Sequence, residues 1–187
     1  MVSNDWGSVT SENVRLTVAT ALPSVTLNGS ASMTHEAAIP YVDAGATAAD
    51  ALGNDLTSSI VVSGADVNVT ELGEHTVSYS VTDVGGNTNS ASRTVTVEDT
   101  TAPILSLIGD NNHSHGVNTA WADPGYSATD SLEGNLTASV AISGDIDVNT
   151  TGEYTLIYSV SDSSGNEANL SRTVNVAEIP QGPWTFT

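Results

Sequence analysis

The chain has 187 residues, of which 22 are acidic and three basic, for a formal net charge of −19. The basic residues are Arg15, Arg93 and Arg172, and there is neither lysine nor cysteine. This balance argues against nucleic acid and anionic membrane surfaces as partners, because both are bound through Lys and Arg. It also excludes disulfides, zinc–thiolate sites and a cysteine nucleophile. No apolar run reaches the roughly 18 residues of a membrane-spanning helix.

Hydrophobic residues make up 39 % of the chain and charged ones 13 %. Val and Thr, both β-branched strand formers, dominate the sequence, which points to an all-β protein with small core side chains. The length suits one large domain or two small ones.

In chain order, residues 1–20 read as the remnant C-terminal hairpin of a preceding domain. Ser3–Ser8 carries turn residues and Val9–Val18 alternates like a final strand. The first residues lack the basic and apolar regions of a signal peptide. Val25 and Leu27 then mark a first strand, Ala46–Ala48 a second and Ile60–Val62 a third. Val77, Tyr79 and Val81 alternate with polar residues, as a half-buried antiparallel strand does. A tight turn follows at Asp83–Asn87, and Val95 and Val97 lie on the return strand.

The same sequence then recurs. Residues 23–64 align without gaps on 103–144, sharing Gly29/Gly109, Asp43/Asp123, Gly45/Gly125, Asp50/Asp130 and Gly64/Gly144. After a one-residue difference the match resumes at Gly73/Gly152, where GEHTVSYSVTDVGGNTNSASRTVTV faces GEYTLIYSVSDSSGNEANLSRTVNV. Leu156, Tyr158, Val160, Val174 and Val176 repeat the alternation. A period near 80 residues exceeds that of solenoids, so each copy is expected to be a domain. About seven short strands per copy, with Gly/Asp/Asn turns, fit a β-sandwich. The expected layout is one sandwich over 21–99, a second over 100–178, and the start of a following module or tail over 179–187.

These motifs carry a family resemblance. Trp121-Ala-Asp-Pro-Gly-Tyr-Ser-Ala-Thr-Asp130, Leu132–Leu136, Tyr158-Ser-Val-Ser-Asp162, Gly165-Asn166, Arg172-Thr-Val and the linker Glu98–Pro103 resemble the bacterial immunoglobulin-like domain of surface proteins. That type also occurs in pesticidal crystal proteins and is close to hyalin repeats. The resemblance covers residues 23–176. It implies tandem seven-stranded immunoglobulin-like sandwiches in a secreted or surface-anchored bacterial protein, and no enzyme activity. The first copy departs at Ala44 for Pro124, Asn54-Asp55 for Gly134-Asn135 and His75 for Tyr154. Tyr154 fits the tyrosine-corner pattern, and His75 is expected to fill that corner with a weaker hydrogen bond.

Several site chemistries compete. His113 and His115 share a face if they lie on a strand, which could suit a metal, but a loop or surface role is expected. No Gly-x-Ser-x-Gly elbow occurs, and the acidic residues that could pair for glycoside cleavage recur in both copies at turn positions. Sugar binding needs exposed aromatics, and Tyr41, Trp121, Tyr126 and Trp184 are available. Tyr41 and Trp121 align, which favours shared packing.

The acidic turns allow three readings. Each Asp can stabilise its own turn, or pair with Arg93 or Arg172, Arg93 meeting Asp83 across the hairpin. Clustered hard oxygens are also what Ca²⁺ takes. On the calcium reading Glu98, Asp99, Asp130, Glu133, Asn135, Asp162 and Asn166 converge where the chain enters the second copy. Asp50, Asp55, Asp83 and Asn87 form a weaker counterpart in the first, whose entry segment Ala19–Pro23 has no acid. The expected function is a non-catalytic extracellular spacer or adhesion stalk, possible stiffening by calcium included. Its partners are neighbouring domains of the same chain and a polysaccharide or other cell-surface ligand. The alternative is a carbohydrate-binding accessory module of a secreted polysaccharide-degrading enzyme.

Overall fold

The computed structural model describes residues 21–179. The expected N-terminal hairpin, Trp184 and nearly all of the expected C-terminal module lie outside them. Among the described residues no helix is long and apolar enough to cross a membrane.

The first copy contains β1 (Ser24–Leu27), β2 (Ser32–Glu36), β3 (Ala46–Ala49), β4 (Val61–Ser63), β5 (Gly73–Thr82) and β6 (Thr88–Glu98). The second contains β7 (Ile104–Leu107), β8 (Asn112–Gly116), β9 (Tyr126–Asp130), β10 (Gly134–Asn135), β11 (Ala141–Ser143), β12 (Gly152–Ser161) and β13 (Glu167–Ala177). One sheet of the second copy runs β11-β12-β13-β8 and the other β10-β9-β7. The first copy repeats this with β4-β5-β6-β2 and β1-β3. The seventh strand shrinks there to a single bridge, Ala49 to Asp55, which corresponds to the Thr129–Asn135 pair of β9 and β10.

Both copies are immunoglobulin-like sandwiches. The long hairpins form because their apolar positions keep a strict period of two. Val77, Tyr79, Val81, Val95 and Val97 are buried, and so are Leu156, Tyr158, Val160, Val174 and Val176. All ten expected core residues are therefore interior. Gly64 and Gly144 follow β4 and β11, with φ of +72° and +99°. A Cβ there would lie 2.3 Å from the Thr76 carbonyl oxygen or 2.2 Å from that of Thr155. Only glycine lets the chain pass so close to the neighbouring strand.

Two strands were not expected. β2 pairs in parallel with β6, and β8 with β13. The His113–His115 segment is therefore strand, not loop. Both imidazoles stand edge-on to Trp121, with ring centroids 4.9 and 5.4 Å away. In the first copy His35 meets Tyr41 in the same way at 5.3 Å, so the aligned Tyr41 and Trp121 share a packing role.

Among the described residues Arg93 and Arg172 are the largest fully buried side chains. Arg93 does not meet Asp83 across the hairpin. It lies on the inward face of β6 with Val95 and Val97, and its guanidinium pairs with Asp43. It also donates to the carbonyls of Ser30 at 2.9 Å and Asn28 at 2.5 Å. Tyr79 donates its O–H to Asp43 at 2.6 Å. The second copy repeats the triad: Arg172 Nη1 lies 3.1 Å from Asp123, and Tyr158 donates to Asp123 at 2.5 Å. Burial, the hydrogen bond to Asp123 and the Asp123 charge push the Tyr158 hydroxyl up to about 12, against an opposing effect of Arg172.

Candidate metal centre

The acidic turns first satisfy their own backbones. In the first copy Asp83 Oδ1 accepts the N–H groups of Gly85 and Asn87 at 2.8 and 2.9 Å. Asp50 Oδ1 accepts those of Leu52 and Asn54 at 2.9 and 2.8 Å. Its other oxygen takes the Asn54 side-chain amide at 2.7 Å. Hydrogen bonds from Asn54 lower the Asp50 pKa and those from Asn87 lower that of Asp83, where the Asp50 charge acts in opposition. Asp55 accepts the Thr57 N–H at 2.8 Å. These four residues thus serve their own turns.

The second copy is wired differently. Asp130 ends β9, Asp162 opens the β12–β13 turn, and Asp99 lies in the segment leading to β7. One carboxylate oxygen from each lies within 4.8 Å of the others. All three residues are buried, with relative exposures of 8 % for Asp99, 8 % for Asp130 and 7 % for Asp162. Asp130 Oδ1 accepts the N–H groups of Leu132 and Glu133 at 2.7 and 3.0 Å. Its Oδ2 is buried and has no hydrogen-bond partner. Gly134 stands where the first copy has Asn54, so the amide that completes Asp50 is missing here.

Ser164 Oγ donates to Asp99 Oδ2 and the Asn166 amide to the Asp99 carbonyl, both at 3.1 Å. Burial pushes the Asp99 carboxyl up, and the charges of Asp130 and Asp162 add to that effect against the bonds from Ser164 and Thr101. Burial acts the same way on Asp162, but hydrogen bonds from Asn166 and the turn backbone outweigh it and leave that group lowered. Two carboxylates no more than 4.8 Å apart repel by about 3 kcal/mol or more at an effective dielectric constant of about 20. The ion pairs of the described residues take both remaining arginines, Arg93 and Arg172, into the cores. The chain has no lysine to offset the cluster.

Asp99, Asp130 and Asp162 are thus brought together, with Asn166 beside them. The other expected members are not. Glu98 is exposed at the end of β6. Glu133 turns to Ser163, accepting its N–H at 2.7 Å and its hydroxyl. Asn135 accepts the Thr137 N–H at 2.9 Å. Sequence reasoning missed Ser164, which replaces Gly85 of the first copy; that replacement was its only visible signal. It also missed Glu36, whose carboxylate accepts the Thr100 N–H at 3.0 Å and the hydroxyls of Thr100 and Thr101 at 2.6 and 2.7 Å.

Tandem immunoglobulin-like sandwiches define the class of this protein. The chain belongs to the family described as bacterial surface protein, Ig-like domain, which matches residues 25–97 and 105–176. It is 31 % identical over 134 residues to the pesticidal crystal protein Cry22Aa of Bacillus thuringiensis, covering 71 % of this chain and 19 % of that protein. It is 27 % identical over 141 residues to an uncharacterized 81.3 kDa protein of Acholeplasma phage L2, covering 73 % and 19 %. The chain therefore spans about a fifth of the length of these curated relatives. Among solved structures, the Clostridium perfringens ZmpB M60 catalytic domain with its CBM51-1 and CBM51-2 domains matches 84 % of this chain and 31 % of that one. The TM-score is 0.50 at 16 % identity, a likeness of fold alone. The lipoprotein BT2262 of Bacteroides thetaiotaomicron is 34 % identical, covering 43 % and 40 %, with a TM-score of 0.39.

Proposed function

We propose that this chain is a non-catalytic spacer or adhesion-stalk segment of a larger extracellular or surface-attached bacterial protein. The observation that carries this reading is what the two copies have in common. They repeat an interior: the Arg–Asp–Tyr triad, the alternating Val/Tyr hairpin and the glycine beside β5 or β12. An interior kept in both copies supports a role in length and stability. Membership of a bacterial surface family supports the location.

The aromatics favour this reading over sugar binding. Tyr41 and Trp121 pack against histidines of their own copies, and the Tyr126 ring centroid lies 5.5 Å from that of Tyr158. Two measurements test the proposal. In a pull-down on insoluble polysaccharides, the 187-residue chain is expected to stay in the supernatant; retention that is lost on Trp121→Ala would establish the carbohydrate-binding alternative. In the parent protein, deleting or duplicating 21–178 is expected to change the reach of the distal module and leave its ligand unchanged. Loss of ligand recognition on deletion would overturn the spacer reading.

A further inference from the structure

We propose that Asp99, Asp130 and Asp162 form a Ca²⁺ site, present in the second copy and lacking in the first. The cluster alone would be only a group of acids. The unpartnered, buried Oδ2 of Asp130 makes it a site. A buried carboxylate oxygen normally finds a donor, and in the first copy the Asn54 amide supplies one to Asp50. Here glycine removes that donor, and the segment entering the copy brings a third carboxylate in its place. The change leaves one buried carboxylate oxygen without a donor beside two further carboxylates, and what the cluster lacks is positive charge.

Donor chemistry favours Ca²⁺. Two oxygens can both touch Ca²⁺ when up to about 4.6–5.2 Å apart, since each bond is about 2.3–2.6 Å long, and the three carboxylate oxygens lie within 4.8 Å of one another. Mg²⁺ demands near-octahedral geometry and gives up its waters reluctantly, so a set of carboxylates on three separate segments suits Ca²⁺ better. Three carboxylates supply up to six oxygens, and water completes a shell of 6 to 8. Ser164 and Asn166 position two of the ligands, through their bonds to Asp99 and Asp162. Bound Ca²⁺ would tie Asp99 to the β9–β10 and β12–β13 turns.

Titration calorimetry of the 187-residue chain with CaCl₂ is the test. The expected result is one site per chain with a Kd of roughly 10⁻⁴–10⁻³ M, the range of extracellular modules, and weaker binding of MgCl₂. Asp130→Asn and Asp162→Asn keep a side-chain oxygen for the turn N–H groups, and each is expected to weaken binding at least about tenfold. Asp50→Asn, at the aligned position of the first copy, is expected to leave it unchanged. Thermal melts should show a Ca²⁺-dependent rise in Tm that EDTA reverses. If about 10 mM Ca²⁺ gives neither heat nor a rise in Tm, the proposal is wrong. It is equally wrong if Asp50→Asn weakens binding as much as Asp130→Asn does.

Discussion

Replacing Arg172 by Met tests whether the interior of the second copy depends on its buried charge. Met keeps the apolar stem and removes the guanidinium. Asp123 then loses its counter-charge, and the carbonyls of Ile108 and Gly125 lose donors now at 2.8 and 3.2 Å. Breaking a buried pair by removing one partner costs about 3–5 kcal/mol. The Asp123 side chain is 24 % exposed, so water reaches it and the lower end, about 3 kcal/mol, is expected. An exposed pair would contribute only about 0.2–1 kcal/mol. A domain of about 80 residues has roughly 4–12 kcal/mol of stability, so the variant should still fold. Residues 21–99 contain no tryptophan, and with Trp6→Phe and Trp184→Phe in the background Trp121 alone reports on the second copy. Urea unfolding followed by its fluorescence gives the cost. A double-mutant cycle with Asp123→Asn should give a coupling of about 1.5–3 kcal/mol. A cost below about 1 kcal/mol, with coupling below about 0.5, would show that the pair behaves like a surface ion pair and refute its role in the core.

The Tyr158 hydroxyl is raised from 10.0 to about 12, so folding favours its neutral form. Its contribution is complete below pH 10 and is lost as pH rises from 10 to about 12, by about 2–3 kcal/mol; urea midpoints across that window should converge with those of Tyr158→Phe. His75 Nε2 donates to the Glu71 carbonyl at 2.8 Å, and Tyr154 donates to the Thr150 carbonyl at 3.0 Å. The two corners are thus equivalent in reach, and His75→Tyr should change stability by less than about 0.5 kcal/mol, one hydrogen bond being exchanged for another; a loss above about 1 kcal/mol in urea unfolding would reject the equivalence. Gly144→Ala combines positive φ with a Cβ placed 2.2 Å from the Thr155 carbonyl oxygen. It should cost about 2 kcal/mol or more by the Trp121 unfolding assay.

The long hairpins were legible because one of their faces is apolar and the other wet, which writes a period of two into the chain. β2 and β8 carry no such record. Ser32–Glu36 and Asn112–Gly116 have no buried residue, and their pairing to β6 and β13 rests on backbone hydrogen bonds that any sequence can make. The arginine's partner was hidden for a different reason. Asp83 is close to Arg93 in the hairpin, whereas Asp43 is 50 positions away and reads as a turn residue before Gly45. The turn reading was sound, since Asp43 does accept the Gly45 N–H at 3.0 Å. It hid the second use of the same carboxylate. In the acidic loops the loop order of an immunoglobulin-like sandwich pointed to the two strand ends and the linker that meet. It could not say that Glu133 and Asn135 would be drawn off by Ser163 and Thr137.

Aligned positions that differ between the copies also change in pairs, and each pair tells what contact is being kept. Glu36 on β2 holds Thr100 and Thr101 with its carboxylate. At the corresponding places the second copy has Gly116 on β8 and Ile179. A Cβ on Gly116 would stand 2.7 Å from Ile179 Cδ1, so glycine is what admits the isoleucine. A polar contact and an apolar one therefore do the same work, tying the segment that leaves the last strand to the parallel edge strand. The change from Asn54 to Gly134 is of another kind. It removes a donor from Asp130, and the third carboxylate that comes in, Asp99, cannot replace it. Compensation within the chain accounts for the first exchange. The second leaves three carboxylates within 4.8 Å of one another, while among the described residues Arg93 and Arg172 are paired elsewhere.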